Sequence, residues 1–339
     1  MKKVTVIGAG SWGTALSMVL ADNGHQVNIW GKSQAPINEM NENHTNEVYL
    51  PGISLPETIR GYTWLEEALI DTQIILLVVP TKAIRGVLKQ IREFAQTPLT
   101  IIHASKGLEQ VTYKRISQMI EEEIPRELVK DIVILSGPSH AEEVALRHPT
   151  TVVAAAENLQ AAENVQQLFM NAYFRVYTNT DVIGVELGGA LKNVIALGAG
   201  ISDGLGYGDN AKTALITRGL AEMTRLGVAM GANPLTFSGL TGFGDLVVTC
   251  TSRHSRNWRA GNLLGKGHKV DEVVNNMGMV VEGVPTSQAA YELGKKLDVE
   301  MPITTAIYEM IFKGINAKEA VDFLMNRAGK EEDEEVLML

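Results

Sequence analysis

The sequence predicts two structural parts: an α/β part built on a doubly wound parallel sheet, followed by an all-helical part. Two observations support this prediction. In the first half of the 339-residue chain, short apolar runs alternate with amphipathic stretches of helical period. Such alternation of strands and helices indicates a parallel sheet with helices on both faces. After about Asp181 the strand patterns end, and helical patterns with Gly-rich connections fill the rest.

The predicted elements set the domain boundaries. Strands are predicted at residues 4–7, 27–30, 74–79, 99–103, 132–135, 151–155 and 175–177, with helices at 14–23, 82–94, 112–123 and 159–169. In the second part, helices are predicted at 182–200, 211–231, 256–264, 270–277, 287–297, 304–313 and 317–327. We therefore expect a first domain over residues 1–185, a second over 186–330 and an acidic tail over 331–339.

Charge and composition exclude several kinds of partner. The formal net charge is −9, whereas nucleic acid and anionic membranes bind basic surfaces. The only cysteine, Cys250, cannot form a disulfide within the chain, and the seven histidines lack metal-ligand spacing, so no metal site is predicted. The N-terminus does not have the pattern of a secretory signal, and no apolar run reaches membrane-spanning length. We expect a cytoplasmic protein.

A glycine motif predicts a dinucleotide site. Gly8-x-Gly10-x-x-Gly13 lies between the first strand and the first helix. The first glycine permits a tight turn, the second lets the backbone approach a pyrophosphate, and the third lets helix and strand pack closely. The N-terminus of the helix then offers free N–H groups to the phosphates. In this strand–turn–helix context the motif predicts a Rossmann-type domain that binds NAD(P).

The second strand bears on which dinucleotide is bound. NAD-selective domains usually end this strand with an acidic residue that binds the ribose 2′-hydroxyl. Residues 27–33 contain no acid and offer Lys32, which would suit the 2′-phosphate of NADP(H). An ordinary solvated lysine is the alternative, so the preference between the cofactors stays open.

Other strand ends are polar and kinked: residues 79–81, 104–107 and 136–139. Ligands of such folds bind beyond the carboxyl ends of the strands. Lys106 directly follows a buried strand, which favours a role in a site over a role in solubility alone.

The predicted helix around residues 187–200 is apolar on nearly all sides and carries one lysine, Lys192. Burying an ammonium group is costly, so it either loses its proton readily or binds an anion. A lysine with a lowered pKa suits general acid–base catalysis between a hydroxyl and a carbonyl. The alternative is a lysine whose charge reaches the surface or forms a structural pair.

Two further groups complete the candidate site. Asp245 follows a glycine-rich stretch that we interpret as a flexible turn, and it could balance the charge of Lys192 or simply cap a helix. Basic and polar residues at 253–259 suit a phosphate, although a solvated basic face is the alternative. Cys250 is interpreted as a packing residue and Glu282 as exposed.

Taken together, these motifs resemble the bacterial NAD(P)-dependent glycerol-3-phosphate dehydrogenases. The matching segments are residues 8–15, 105–108, 136–139, 188–193, 242–246, 255–257 and 280–283, in the family's order and over nearly the whole chain. The resemblance implies a 6-phosphogluconate-dehydrogenase-like fold, a homodimer, and reversible reduction of dihydroxyacetone phosphate to sn-glycerol 3-phosphate for glycerophospholipid synthesis.

The resemblance also implies residue roles. Lys192 would be the proton donor and acceptor, with Lys106 and Asp245 as further catalytic residues. The cofactor would be bound by Gly8, Gly10, Ser11, Trp12, Gly13, Lys32, Lys106, Ala141, Arg256, Val280 and Glu282. The substrate would be bound by Lys106, Gly137, Ser139, Lys192, Asp245, Ser255, Arg256 and Asn257.

Two rival functions are a related two-domain reductase of a hydroxy acid, such as ketopantoate, and a protein that senses nicotinamide cofactors without turnover. A carboxylate substrate would need only one cation, and a sensor would not need a lone charge on an apolar helix.

Overall fold

The computed structural model describes residues 1–278, 280–329 and 331–332, which form two compact units. Unit 1 comprises Met1–Ser105 and Ile116–Val182, and unit 2 comprises Lys106–Arg115 and the described residues from Ile183 onward. The sequence prediction placed a single boundary between residues 185 and 186. Of the predicted acidic tail, residues 333–339 lie outside the described residues.

Unit 1 is built on an eight-stranded sheet in the order β3-β2-β1-β4-β5-β6-β7-β8. The strand order reverses between β1 and β4, which is the switch point where ligands of doubly wound sheets bind. All neighbouring strands are parallel except β6 and β7, so the expectation of a parallel sheet was wrong for that pair. The strands are β1 (Lys3–Ile7), β2 (Gln26–Trp30), β3 (Ile59–Tyr62), β4 (Ile74–Leu77), β5 (Leu99–His103), β6 (Val129–Ser136), β7 (Thr150–Ala155) and β8 (Phe174–Asn179).

Helices cover both faces of this sheet. Alternate strand residues enter two separate cores: Leu76 and Ile102 pack in one, while Ile75, Leu77 and Ile101 pack in the other. This follows from the two-residue period of side chains along a strand. The helices of unit 1 are α1 (Ser11–Asp22), α2 (Gln34–Asn43), α3 (Leu65–Leu69), α4 (Ile84–Phe94), α5 (Ile116–Glu123), α6 (Ala141–Ala145) and α7 (Leu159–Phe169).

The regular secondary structure of unit 2 is entirely helical among its described residues. The seven helices predicted for this half are present, together with two that the sequence did not predict, α10 and α11. The helices are α8 (Val182–Gly204), α9 (Asp209–Ala229), α10 (Pro234–Phe237), α11 (Asp245–Thr251), α12 (Arg256–Gly265), α13 (Val270–Asn276), α14 (Gly283–Lys296), α15 (Pro302–Tyr308) and α16 (Ala317–Met325).

Helix α8 is the centre of unit 2. Its length and apolar composition would allow it to cross a membrane, but 89% of its most apolar window is buried inside the protein. A helix that is apolar on all sides is buried in this way. It is therefore the core helix of unit 2.

Glycines let α8 and α12 approach each other at backbone distance. A Cβ atom at Gly200 of α8 would lie 2.1 Å from the carbonyl oxygen of Trp258. On the other helix, a Cβ at Gly261 would lie 2.1 Å from the carbonyl oxygen of Leu197. The close crossing holds α12 against the C-terminal half of α8.

We predict that Gly261→Ala lowers the free energy of unfolding by about 1–3 kcal/mol, because the new methyl group must displace backbone. Urea denaturation measures this change. Gly86→Ala on α4 is the control, since no atom lies within 4 Å of a Cβ there. That substitution should be neutral or stabilising by up to ~1 kcal/mol, as alanine favours a helix interior over glycine. Equal effects of the two substitutions would contradict the backbone contact.

Candidate active site

Three charged side chains meet inside unit 2. Lys192 of α8 donates hydrogen bonds to Asp245 Oδ1 and, over 2.9 Å, to Thr249 Oγ1. Lys106 Nζ lies 2.9 Å from the other carboxylate oxygen of Asp245. The Asp245 side chain is only 1% exposed, and those of Lys192 and Lys106 are 7% and 19% exposed. One buried carboxylate thus accepts from two ammonium groups.

Local backbone geometry brings Asp245 to Lys192. The residues before Asp245, Leu240–Gly244, form a π-helical turn that runs directly into α11. The prediction of a flexible turn here was therefore wrong, because the glycines serve close packing. A Cβ at Gly188 would lie 2.4 Å from the carbonyl oxygen of Thr241. Only glycine at that position allows α8 to lie so close to the turn that carries the carboxylate.

The electrostatics of the cluster shift two pKa values. Burial has the largest effect on the pKa of Lys192 and lowers it. The negative charge of Asp245 raises this pKa and the positive charge of Lys106 lowers it further, so that the pKa falls to about 7. Burial alone would raise the pKa of Asp245, but the two lysine charges outweigh it and keep that pKa below its usual value. Asp245 is therefore an anion at neutral pH, and Lys192 is poised to gain or lose a proton.

Thr249 is a site residue to which the sequence analysis assigned no role. It lies one turn after Asp245 on α11, donates to the Asp245 carbonyl oxygen over 2.5 Å and accepts from Lys192. The four-residue spacing from Asp245 places both on one face of a helix. This spacing would have indicated a site role for Thr249 only if residues 245–251 had been predicted as a helix. On the same helix, burial raises the pKa of Cys250 to about 12, in keeping with a packing role.

The N-terminus of α12 supplies polar groups beside α8. The hydroxyl of Ser255 caps α12 by accepting from the Trp258 N–H, while Arg256 is exposed. Asn257 is buried, donates to Asn193 Oδ1 over 2.8 Å and accepts from the Gly283 N–H over 2.9 Å. Asn257 thereby ties α12 to α8 and to the start of α14.

Two predicted residues precede α14. Val280 is half-buried, and Glu282 immediately before the helix is also half-buried. The interpretation of Glu282 as an exposed residue was therefore wrong. Val281 and Gly283 are buried, and their packing brings the segment with Glu282 into unit 2. The local sequence did not indicate this packing.

The glycine turn of unit 1 fits a dinucleotide. Gly8 has φ +126°, and a Cβ there would lie 2.6 Å from a carbonyl oxygen of Val78. A Cβ at Gly13 would lie 1.9 Å from the Gly8 carbonyl oxygen, whereas around Gly10 there is open space. No side chain caps the N-terminus of α1, where Ser11 and Trp12 lie. The start of α1 is therefore not occupied by a capping side chain and the space beside Gly10 is open, as pyrophosphate binding requires.

The end of β2 lies beside this turn. A Cβ at Gly31 would lie 2.8 Å from the Ala9 Cβ, and Lys32 after it is exposed. Elsewhere in unit 1, Gly137 has φ +138° and its carbonyl oxygen accepts from Ser139 Oγ over 2.9 Å, with Ala141 buried at the start of α6.

Asn46 braces the glycine turn, a contact that sequence reasoning missed. Its fully buried amide donates to the Ala9 carbonyl oxygen over 3.1 Å and to Thr14 Oγ1 over 2.9 Å. Ser11 Oγ in turn donates to the Tyr49 carbonyl oxygen over 2.6 Å. The loop after α2 therefore fixes the shape of the turn from outside. No local pattern in the sequence signals such a long-range contact.

Comparison with known proteins identifies the family. The model for the N-terminus of NAD-dependent glycerol-3-phosphate dehydrogenase matches residues 3–162, and that for the C-terminus matches residues 181–322. The chain belongs to the NAD-dependent glycerol-3-phosphate dehydrogenase family. The resemblance inferred from the sequence motifs is confirmed.

Individual relatives support the same assignment. A Bacillus cereus (strain G9842) protein named glycerol-3-phosphate dehydrogenase (NAD(P)+) is 66% identical over 336 residues, which cover 99% of each chain. The crystal structure of glycerol-3-phosphate dehydrogenase from Coxiella burnetii has a TM-score of 0.91 at 38% identity, covering 96% of this chain and 99% of that one. A ketopantoate reductase from Ralstonia eutropha JMP134 has a TM-score of 0.60 at 13% identity, covering 94% of this chain and 99% of that one, and shares the fold alone.

The lowered pKa of Lys192 predicts a pH dependence of stability. Between its native pKa of about 7 and its ordinary value of 10.5, the unfolded chain binds a proton that the native chain does not. Stability therefore rises with pH across this window, by at most about 1.4 kcal/mol per pH unit for one proton. Lys192→Met should remove this rise.

Urea denaturation of both proteins at pH 6 to 10 measures the difference. The control is Lys212→Met, which removes a partly buried lysine paired with Asp203 in the same unit and should leave the rise in place. If the difference in free energy of unfolding between wild type and Lys192→Met did not change with pH, Lys192 would be protonated throughout this range.

Proposed function

We propose that this chain catalyses the reversible, NAD(P)H-dependent reduction of dihydroxyacetone phosphate to sn-glycerol 3-phosphate, with Lys192 as the proton donor and acceptor. The observation that carries the proposal is the buried cluster of Lys192, Asp245 and Lys106, combined with membership of the family. This chemistry requires a proton to move on and off one oxygen near neutral pH. A lysine with a pKa of about 7 can do both.

The residues of the cluster have distinct parts in this proposal. Bound NAD(P)H supplies the hydride that C2 of the substrate accepts. Lys192 donates its proton to the oxygen on C2 in the reduction and takes it back in the oxidation. Lys106 places a second positive charge near that oxygen, where negative charge develops. Asp245 accepts hydrogen bonds from both lysines, which orients them and keeps their charges close together.

We assign the substrate phosphate to the N-terminus of α12. Ser255, Arg256 and Asn257 lie in its first turn, where free N–H groups and the helix dipole favour an anion. The guanidinium of Arg256 adds charge and a planar set of donors suited to phosphate oxygens. The amide of Asn257 donates one hydrogen to Asn193, and we propose that its second hydrogen binds the substrate. Gly137 and Ser139 are proposed to complete the substrate site.

We assign the cofactor to the glycine turn of unit 1, with its pyrophosphate on Gly8, Gly10 and Gly13. Exposed Lys32 suits a 2′-phosphate, so we propose that NADPH is accepted as well as NADH. The further cofactor residues that we propose are Ser11, Trp12, Lys106, Ala141, Arg256, Val280 and Glu282. The proposal extends to a homodimer that acts in the cytoplasm and supplies glycerophospholipid synthesis.

The rival function, reduction of a hydroxy acid, could use the same fold but would not need the proposed phosphate site. Ketopantoate reductase resembles this chain at 13% identity, far below the 66% identity to a glycerol-3-phosphate dehydrogenase. A substrate with a single carboxylate would not need both the lysine cluster and the basic start of α12.

We predict that Lys192→Met lowers kcat for reduction by about 100- to 10,000-fold, the usual contribution of a general acid. The affinity for NADPH, followed by its fluorescence, should stay within about threefold. In the wild type, kcat/KM for reduction should fall as pH rises through the pKa of Lys192, near 7, because the donor must be protonated. For oxidation, kcat/KM should rise over the same pH range, because Lys192 must then accept a proton. Retained turnover in Lys192→Met would exclude this lysine as the proton donor.

We predict that Arg256→Leu raises KM for dihydroxyacetone phosphate by about 10- to 100-fold, the effect of losing charged hydrogen bonds to one phosphate. Turnover of phosphate-free dihydroxyacetone should change little. Arg259→Leu is the matched control, because Arg259 is exposed on the same helix, one turn further on. If both substitutions changed KM equally, the effect would be one of surface charge, and the proposed phosphate site would be wrong.

A further inference from the structure

The segment of residues 106–115, here called the strap, belongs to unit 2, although the chain on both sides of it belongs to unit 1. Leu108 is buried in the core of unit 2, and Tyr113 packs against the same core. At its start, Lys106 reaches Asp245. The strap therefore delivers one member of the catalytic cluster, and its attachment to unit 2 decides where that member lies.

The strap does not adopt a relaxed backbone. Gly107 has φ +144°, Val111 φ +73° and Tyr113 φ +59°. Positive φ is unfavourable for a residue other than glycine and is least tolerated by a β-branched residue such as valine. Two hydrogen bonds close the turn, from Glu109 N to the Lys114 carbonyl oxygen and from Tyr113 N to the Glu109 carbonyl oxygen. Such a conformation persists only where other contacts impose it.

An ion pair provides such a contact at the far end of the strap. Arg115 Nη1 lies 2.5 Å from Glu186 Oε2, and their side chains are only 12% and 4% exposed. Glu186 lies on α8, six residues before Lys192. The strap is thus fastened at one end to the helix that carries Lys192 and at the other to the carboxylate that Lys192 contacts. Removing one partner of such a buried pair strongly destabilises a protein, because the remaining charge is left buried without its partner.

We propose that Arg115 and Glu186 are positioning residues: their ion pair holds the strap so that Lys106 stays on Asp245. This inference rests on the proposed catalytic roles of Lys106, Lys192 and Asp245. Arg115 acts through Lys106 and does not itself meet the substrate.

The charge of Lys106 has a second effect on the reaction. The charge of Lys106 lowers the pKa of Lys192. Burial lowers this pKa more strongly, and the charge of Asp245 raises it. Another titratable group that interacts with Lys192 is the thiol of Cys250, whose own pKa is raised to about 12. Displacing Lys106 should therefore raise the pKa of Lys192, and the limb of the pH profile that reports this lysine should move upward.

The test is a double-mutant cycle on the full chain with Arg115→Met, Lys106→Met and the double variant. We expect Arg115→Met to lower kcat/KM for dihydroxyacetone phosphate by about 10- to 100-fold, as small displacements of catalytic groups do. In the Lys106→Met background, the same substitution should change kcat/KM by less than about twofold, because the group it positions is already gone. Both single variants should move the pH profile in the same direction.

Arg85→Met is the matched control. Arg85 pairs with Glu123 over 2.8 Å in unit 1, so its loss should lower stability and leave both kcat/KM and the pH profile unchanged. Should Arg115→Met fail to fold, Arg115→Lys and Glu186→Gln serve in its place, since each weakens the pair while keeping similar volume. Circular dichroism and urea denaturation verify that each variant is folded.

Three results would overturn the inference. One is a loss of kcat/KM on Arg115→Met that is equally large with and without Lys106, which would indicate a purely structural role. Another is an unchanged kcat/KM and pH profile in folded Arg115 or Glu186 variants. If Lys106→Met itself retained full activity, the proposed role of Lys106 would fail, and the inference would fail with it.

Discussion

The central interaction of unit 2 is the sharing of one buried carboxylate by two lysines. Asp245 is almost fully buried, and it can remain ionised there only because Lys192 and Lys106 each donate to it. With both lysines protonated the cluster carries one excess positive charge, which burial opposes. Loss of a proton from Lys192 relieves that excess. The same balance that keeps the charges inside the protein therefore makes Lys192 a reversible source of a proton.

Much of the surrounding architecture serves this contact. Gly188 lets α8 approach the π-helical turn before Asp245, and the glycines of α8 and α12 bring the proposed phosphate-binding residues to the same helix. Unit 1 contributes a feature of a different kind, a glycine turn suited to any dinucleotide. A reductase at 13% identity retains the fold. That likeness shows a shared fold and says nothing about the side chains of unit 2.

The sequence was sufficient to predict the alternating sheet, the helical second half and the lysine on an apolar helix, because each leaves a local pattern. It failed where long-range packing decides the outcome. β3 (Ile59–Tyr62) is short and includes arginine and glycine, and so lacks a strand signal. The helix predicted from residue 112 begins at Ile116, because residues 106–115 follow the contacts of unit 2. Thr249 and Asn46 acquire their roles from neighbours 57 and 37 positions away, Lys192 and Ala9.

The interrupted path of the chain limits how its two halves can be recombined. A fragment that begins at Ile183 would contain Lys192 and Asp245 but not Lys106 or Leu108, so it would leave a gap in its own core and one cation too few around its carboxylate. Exchange of the dinucleotide-binding half for that of another dehydrogenase would meet the same obstacle. The dinucleotide-binding half of the other enzyme would have to supply a segment equivalent to residues 106–115 that packs into unit 2 of this chain. The two halves are therefore expected to evolve together.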